Sequence, residues 1–261
     1  MLKKSVTQVG ILKYIEEVFR SHPLSYLLAR EFCNIFGIFE ADAKGLKNIV
    51  FNEDIVCVDV GASDGVFLKF LKNNKFKLKK AFCFEPNNNY VKKLKKLKKI
   101  NLEIFDYGLG LNNKVVSIFF PYYRIFNKNF FLETYTFGTK EDCEKQVSLD
   151  FRFKKNIFIK EQKINISKNY TFDDKINLIK IDINGNELDI IRILESVIKE
   201  DRPVIYLENN YNISEIINIL SNYEYTPYIY DSNNNSLKIY ENEEVLNLFF
   251  INKQFKFKSN L

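Results

Sequence analysis

The chain has 261 residues, 46% of them hydrophobic and 28% charged, with a formal net charge of +6. That length and apolar content fit one large α/β domain with an added segment and exclude a disordered chain. The longest apolar runs fall far short of the roughly 20 residues a membrane span needs, and residues 1–19 have no small-residue cleavage site, so neither a span nor a signal peptide is expected.

Residues 8–19 and 24–39 carry apolar residues at helical spacing, with Pro23 opening the second run. Residues 1–50 therefore read as an N-terminal helical extension and a candidate homodimer surface. His22, the single histidine, reads as a helix-start residue rather than a base. From Ile55–Val60 (IVCVDV) the pattern becomes that of a buried parallel strand ending at a glycine turn. A helix over 65–73, a strand over 80–84, a helix over 89–99 and a strand over 102–106 follow. Such alternation implies βαβ units with right-handed crossovers.

Twelve lysines fall between Lys69 and Lys99 against one acidic residue, Glu85. In Val91–Lys99 the apolar Val91, Leu94 and Leu97 form one stripe, so the lysines read as solvated helix faces. Without an accompanying aromatic motif they predict no stable nucleic-acid complex. Residues 112–174 break the alternation. They hold strand-like pieces over 115–120 and 157–166 around an aromatic stretch with Tyr122, Tyr123, Phe130, Phe131, Tyr135 and Phe137. A connection of that length reads as a functional insert, here a candidate acceptor-binding element. Its rings suit stacking on a sugar or the core of a hairpin subdomain. The sheet resumes with a strand over 178–182, a helix over 187–198, the strand Val204–Glu208 and a helix over 214–222. Short strands at 225–230, 237–240 and 248–252 finish it. Cys33, Cys57, Cys83 and Cys143 form no CxxC pair, which suits a reduced, cytoplasmic protein without structural zinc.

Three motifs carry chemistry. In Asp59-Val60-Gly61-Ala62-Ser63-Asp64-Gly65, Gly61 allows a sharp turn and close backbone approach, and Gly65 starts the helix near the strand. Ligands of open α/β sheets bind beyond the carboxyl ends of strands. The first glycine of the dinucleotide pattern is Asp59 here, which disfavours a pyrophosphate and suits a cationic ligand such as a sulfonium with an α-ammonium. Glu85, ending the second strand, is placed to accept ribose hydroxyls of an adenosine. Asp106 and Tyr107, ending the third strand, are placed to reach the adenine. In Lys180-Ile181-Asp182-Ile183-Asn184-Gly185-Asn186-Glu187, Asp182 emerges at the strand end and Glu187 begins the next helix, where the dipole favours a carboxylate.

VDVGASDG, FEP, DYGLG, TFDD and KIDINGNEL, in this order, resemble the FkbM-type methyltransferases from about residue 55 to 250. The resemblance implies a class I, Rossmann-like methyltransferase fold: a mostly parallel seven-stranded sheet with helices on both faces. Residues 51–261 would form that domain, with the β-rich insert inside it. It also implies S-adenosyl-L-methionine as cofactor, held by Asp59, Gly61, Gly65, Glu85 and Asp182, and O-methylation of a sugar in a surface glycan, a capsule or an antibiotic. Ser63-Asp64 and Asn184 depart from the usual residues of that family.

Removing a proton from a sugar hydroxyl calls for a base, and Asp182 and Glu208 are the candidates, with Glu187 as an acceptor-orienting group. No HxxxH or DxD spacing points to a metal. The expected acceptor is a small molecule or glycan, free, phosphorylated or nucleotide-linked. Rival readings are a methyltransferase of nucleic acid or protein, a non-catalytic adenosyl-binding partner subunit, and a nicotinamide dehydrogenase.

Overall fold

A computed structural model describes residues 22–132, 136–151, 154–183 and 185–258. The helix expected over 8–19, Tyr135 and Asn184 lie outside the described residues. The described chain divides into two compact units, residues 37–113 with 166–258, and residues 22–36 with 114–165.

The first unit is built on an eight-stranded sheet. Its strands are β2 (Ile55–Val60), β3 (Leu78–Phe84), β4 (Leu102–Phe105), β9 (Leu178–Ile181), β10 (Val204–Glu208), β11 (Tyr225–Asp231), β12 (Ser236–Ile239) and β13 (Asn247–Asn252), in the order β12-β11-β13-β10-β9-β2-β3-β4. The expected seven-stranded sheet is thus corrected to a mixed one of eight. β4, β3, β2, β9, β10 and β11 run in one direction, β11 being reached from β10 through the helix Ile213–Ser221, while β13 lies antiparallel between β10 and β11 and β12 adds antiparallel at the edge. A short link without a helix joins β11 to β12, and the reversal of direction between these two strands is what such a link permits. The short strands β1 (Ile49–Val50) and β14 (Lys256–Phe257) form a separate antiparallel pair.

Every residue of β2 is buried, because helices cover both faces. Val58, Phe82, Ile179, Ile205 and Phe250 pack on one face beneath α5 (Glu187–Ile193), α6 (Glu195–Asp201) and α7 (Ile213–Ser221). Cys57, Ala81, Tyr206 and Phe249 pack on the other beneath α2 (Val66–Asn73) and a 3₁₀ helix over Ala41–Asn48. Residues 37–50, expected within the extension, therefore belong to the sheet unit.

Two helices are shorter than their spacing predicts. α3 ends at Leu94 (Asn88–Leu94). Beyond it the apolar period of three matches 3₁₀ geometry, and i to i+3 bonds follow from Lys96 to Lys93 and from Leu97 to Leu94. The run over 187–198 breaks at Leu194, which ends α5 and opens α6.

In the second unit, α1 (Pro23–Phe36) and α4 (Lys140–Asp150) accompany β6 (Lys114–Ile125), β7 (Lys128–Phe131) and most of β8 (Ile157–Ser167). The last two residues of β8 pair with β5 (Gly108–Leu109) in the first unit. Leu132, Val147 and Phe151 form a small core with Tyr26, Leu27, Ile157 and Ile159. Among the described residues no helix is long and apolar enough to cross a membrane.

Phe82 is fully buried and its ring lies 4.7 Å from that of Phe172. Phe82→Ala is expected to cost about 3–5 kcal/mol, read as a fall in the urea midpoint at unchanged slope.

Candidate functional site

The strand order reverses between β2 and β9, where open α/β sheets leave a crevice at the carboxyl ends of their strands. The 61–65 turn forms one wall. Its Gly61 and Ala62 N–H groups donate to the Phe84 carbonyl at the end of β3, at 3.0 and 3.2 Å. Gly61 has φ of 78°, and a Cβ there would lie 2.1 Å from the Asp182 carbonyl oxygen. Only glycine lets β2 and β9 end so close together. A Cβ on Gly65 (φ 76°) would lie 2.5 Å from Leu97, so that glycine sets how near α2 approaches the turn after α3.

Glu85 braces this turn from the next strand. One carboxylate oxygen accepts from the Ser63 N–H at 2.8 Å and the other from the Asn87 N–H at 2.7 Å. Asn87 then accepts from the Asn89 N–H at the start of α3. Burial pushes the Glu85 carboxyl up to about 7, against the pull of the two N–H bonds. Each oxygen keeps a further lone pair for a ligand hydroxyl.

Asp59 lies beneath the turn, fully buried. Its charge partner is Lys180, which stands beside it in the β2–β9 register, with the ammonium 3.2 Å from the carboxylate. Among the described residues the Asp59 oxygens take no other hydrogen bond. The same ammonium donates to the Gly61 carbonyl at 2.8 Å and lies 3.4 Å from Asp182. Burial alone would lower the lysine's pKa, but Asp59 and Asp182 outweigh it and hold it above its ordinary value. Burial pushes the Asp59 carboxyl up while Lys180 pulls it down. Lys180 was legible as a charged residue between buried isoleucines, yet the pattern did not reveal that it serves both carboxylates.

A second polar cluster, absent from the sequence expectations, is carried by the segment before the 3₁₀ helix. The Tyr206 hydroxyl lies 2.8 Å from both Glu40 and Asp42. The Asn247 amide donates to the same two carboxyls at 2.8 and 3.0 Å. One phenol and one amide supply three protons for four contacts, so either the phenol proton is shared or Glu40 keeps a proton of its own. Burial is the largest cause that pushes Glu40 up to about 7, followed by the charges of Asp182 and Asp42.

The remaining expected residues separate by role. Ala62 and Asp64 are buried within the turn, and Ser63 sits there with φ of 51°. Asp182 has a partly exposed side chain at the crevice rim. Glu208 ends β10, two strands from β2, opposite Asn247. Glu187 is fully buried. Its carboxylate accepts from the Gly185 N–H at 3.0 Å, the Ile183 N–H at 3.4 Å and the Asn210 amide. It fixes the loop after Asp182 rather than facing solvent. Tyr107 packs on Phe84 and Phe105 and donates to the Asn169 carbonyl at 2.7 Å, while Asp106 is exposed. His22 lies in the second unit, where its Nδ1 accepts from the Leu24 N–H at the start of α1. Among the described residues no three His, Cys, Asp or Glu side chains are grouped to hold a metal.

Two outcomes follow from this electrostatic arrangement. Lys180→Met strands buried carboxylate charge and should cost about 3–5 kcal/mol in chemical denaturation, with Asp59→Asn added to it recovering part. Glu40 holds its proton more tightly folded than unfolded, so its contribution falls as pH rises from about 4.5 to 7. Between pH 5.5 and 7.5 the wild type should lose about 2 kcal/mol that Glu40→Gln does not lose.

Residues 59–227 match the methyltransferase FkbM domain. None of the curated proteins matches the chain. Methyltransferase FkbM from Methylobacillus flagellatus KT is similar over 77% of this chain and 44% of its own, at 17% identity and a TM-score of 0.48. The chain thus spans less than half of that protein's length. Precorrin-6y C5,15-methyltransferase from Geobacter metallireducens GS-15 is similar over 80% and 84% respectively, at 12% identity and a TM-score of 0.35. The plantazolicin methyltransferase in complex with SAH is similar over 78% and 61%, at 11% identity and a TM-score of 0.32. The domain match takes in Asp59, Glu85, Lys180, Asp182 and Glu208, and by that match the chain belongs to the methyltransferase FkbM domain family.

Proposed function

We propose that the chain is an S-adenosyl-L-methionine-dependent methyltransferase of the class I type that O-methylates a sugar or sugar-linked group. The observation that carries this reading is Glu85. It is braced by the Ser63 and Asn87 N–H groups beside the Gly61 turn, at the point where the strand order reverses. An adenosyl group fits these residues. The unspent lone pairs of Glu85 suit two ribose hydroxyls, and the glycine at 61 lets the turn beside Glu85 close against the end of β9. Asp106 and Tyr107 border the adenine side.

When bound, the cofactor supplies a methyl group already activated on a sulfonium. The protein's share is therefore alignment and handling of the acceptor's proton. Asp182, at the rim and oriented by Lys180, orients the acceptor hydroxyl and takes its proton, with Glu208 as the second carboxylate of that edge. Glu187 acts through the Ile183 and Gly185 N–H groups and is a positioning residue. A glycan or capsule precursor, handled in the cytoplasm, is the acceptor class this reading adopts.

Adenosylhomocysteine should raise the melting temperature of the wild type while NADH leaves it unchanged. Glu85→Gln should weaken adenosylhomocysteine binding at least about tenfold, the scale of a charged hydrogen bond. With cofactor binding intact, Asp182→Asn and Glu208→Gln should slow methyl transfer to sugar acceptors by about 10²-fold or more. Full turnover by both variants would remove the carboxylates from the mechanism.

A further inference from the structure

The insert sheet has one face that its own helices leave alone. β6 lies between β7 and β8. Ile157, Ile159 and Leu132 turn to the core shared with α1 and α4. Alternation puts Tyr122 and Arg124 of β6 on the other face, with Phe158 and Lys160 of β8 and Phe131 of β7. Tyr122 stands directly opposite Phe131 and Arg124 directly opposite Asn129. The Tyr122 and Phe158 rings are stacked at 5.5 Å, and the Tyr122 and Phe131 rings lie 5.6 Å apart. Together they make a shelf of three neighbouring rings, on which Phe158 is exposed.

A cation is held at each end of that shelf. The Arg124 guanidinium lies 5.0 Å from the Phe158 ring centre and 5.5 Å from that of Tyr122. Its Nε donates to Asn129 and one Nη to the Tyr122 hydroxyl. These contacts fix the guanidinium plane, and among the described residues they leave donors on both Nη atoms unspent. The Lys160 ammonium lies 4.8 Å from the Phe131 ring centre. Among the described residues no carboxylate forms an ion pair with either cation. The neighbouring Glu161 is committed to Ser117 on the opposite face. Two positive charges held over rings, with no carboxylate paired to either among the described residues and one of them a pre-oriented fork, are suited to phosphoryl oxygens.

We propose that this face of the insert binds an organic phosphate, its ring against the Tyr122–Phe158 shelf and its phosphoryl group on Arg124, with Lys160 as the second cation. The proposal rests on reading the insert as the acceptor-binding element. The shelf is three rings across, with Arg124 over Phe158 and Tyr122 and Lys160 over Phe131, which suits a single phosphorylated sugar or nucleotide rather than a nucleic-acid strand with successive stacked bases.

Titration of the full chain with UDP, glucose 1-phosphate, uridine and an eight-nucleotide oligo(dT) tests this. UDP or glucose 1-phosphate should bind, uridine at least about tenfold more weakly than UDP, and Arg124→Gln or Lys160→Gln should each weaken the phosphate about tenfold. Tighter UDP binding would place a nucleobase on the shelf, and tighter glucose 1-phosphate binding a sugar ring; either supports the assignment. Failure of both phosphates to bind, undiminished binding by the Arg124→Gln/Lys160→Gln double variant, or preferred binding of the oligonucleotide would overturn it. Adenosylhomocysteine stabilisation in the same samples separates the two readings. If it persists without phosphate binding, the methyltransferase reading stands and this one fails.

Discussion

One buried ammonium ties the carboxyl ends of the central strands together. Lys180 sits between Asp59 of β2, the Gly61 carbonyl and Asp182 beyond β9, and each contact serves a different part of the crevice. Without that cation, Asp59 would be an uncompensated charge in the core, which costs several kcal/mol. With it, the turn carried by β2 and the rim carboxylate carried by β9 share one anchor. The close approach at Gly61 depends on the same register, because Asp59 and Lys180 are paired neighbours. The geometry that brings two strand ends together is therefore also the geometry that neutralises the charges placed there.

Much of this was legible in the chain itself. The IVCVDV run, the glycine turn and Glu85 are local features, and each lies where its pattern predicts. The parallel strands were readable because continuous apolar runs reflect burial on both faces. The mixed character of the sheet was less so: alternation along β11 to β13 does not reveal strand direction, which depends on how the closing turns fold back. α4 escaped notice because it buries only Cys143 and Val147, although Thr139, which accepts from the Asp142 N–H, marks its start. The β6–β7 hairpin lacks the usual asparagine–glycine signature, since Phe126 and Asn127 take the left-handed turn positions.

The Glu40, Asp42, Tyr206 and Asn247 cluster could not have been read from sequence, because its members are brought together only by tertiary packing. Its proton count has a physical meaning. A phenol and an amide offer three protons to two neighbouring carboxyls, and burial favours the neutral form of Glu40. Asp182, held close to Lys180, is one of the charges that raises the affinity of Glu40 for a proton. The segment before the sheet and the rim of the crevice are thus coupled electrostatically.

The second unit is assembled from two stretches of chain, and this has a consequence for synthesis. Within it, Tyr26 of α1 packs against Phe151, and His22 against Tyr123. The stretch that supplies those partners begins at residue 114, roughly 80 residues after α1 ends. At about 5–20 residues per second, α1 leaves the ribosome several seconds before its neighbours exist. Leu28, Phe32 and Ile35, exposed even in the finished fold, are then displayed along with the residues destined for the core. During that interval residues 23–36 are an apolar stretch without the partners that hold it helical in the finished fold, and the nascent chain is open to chaperone capture there.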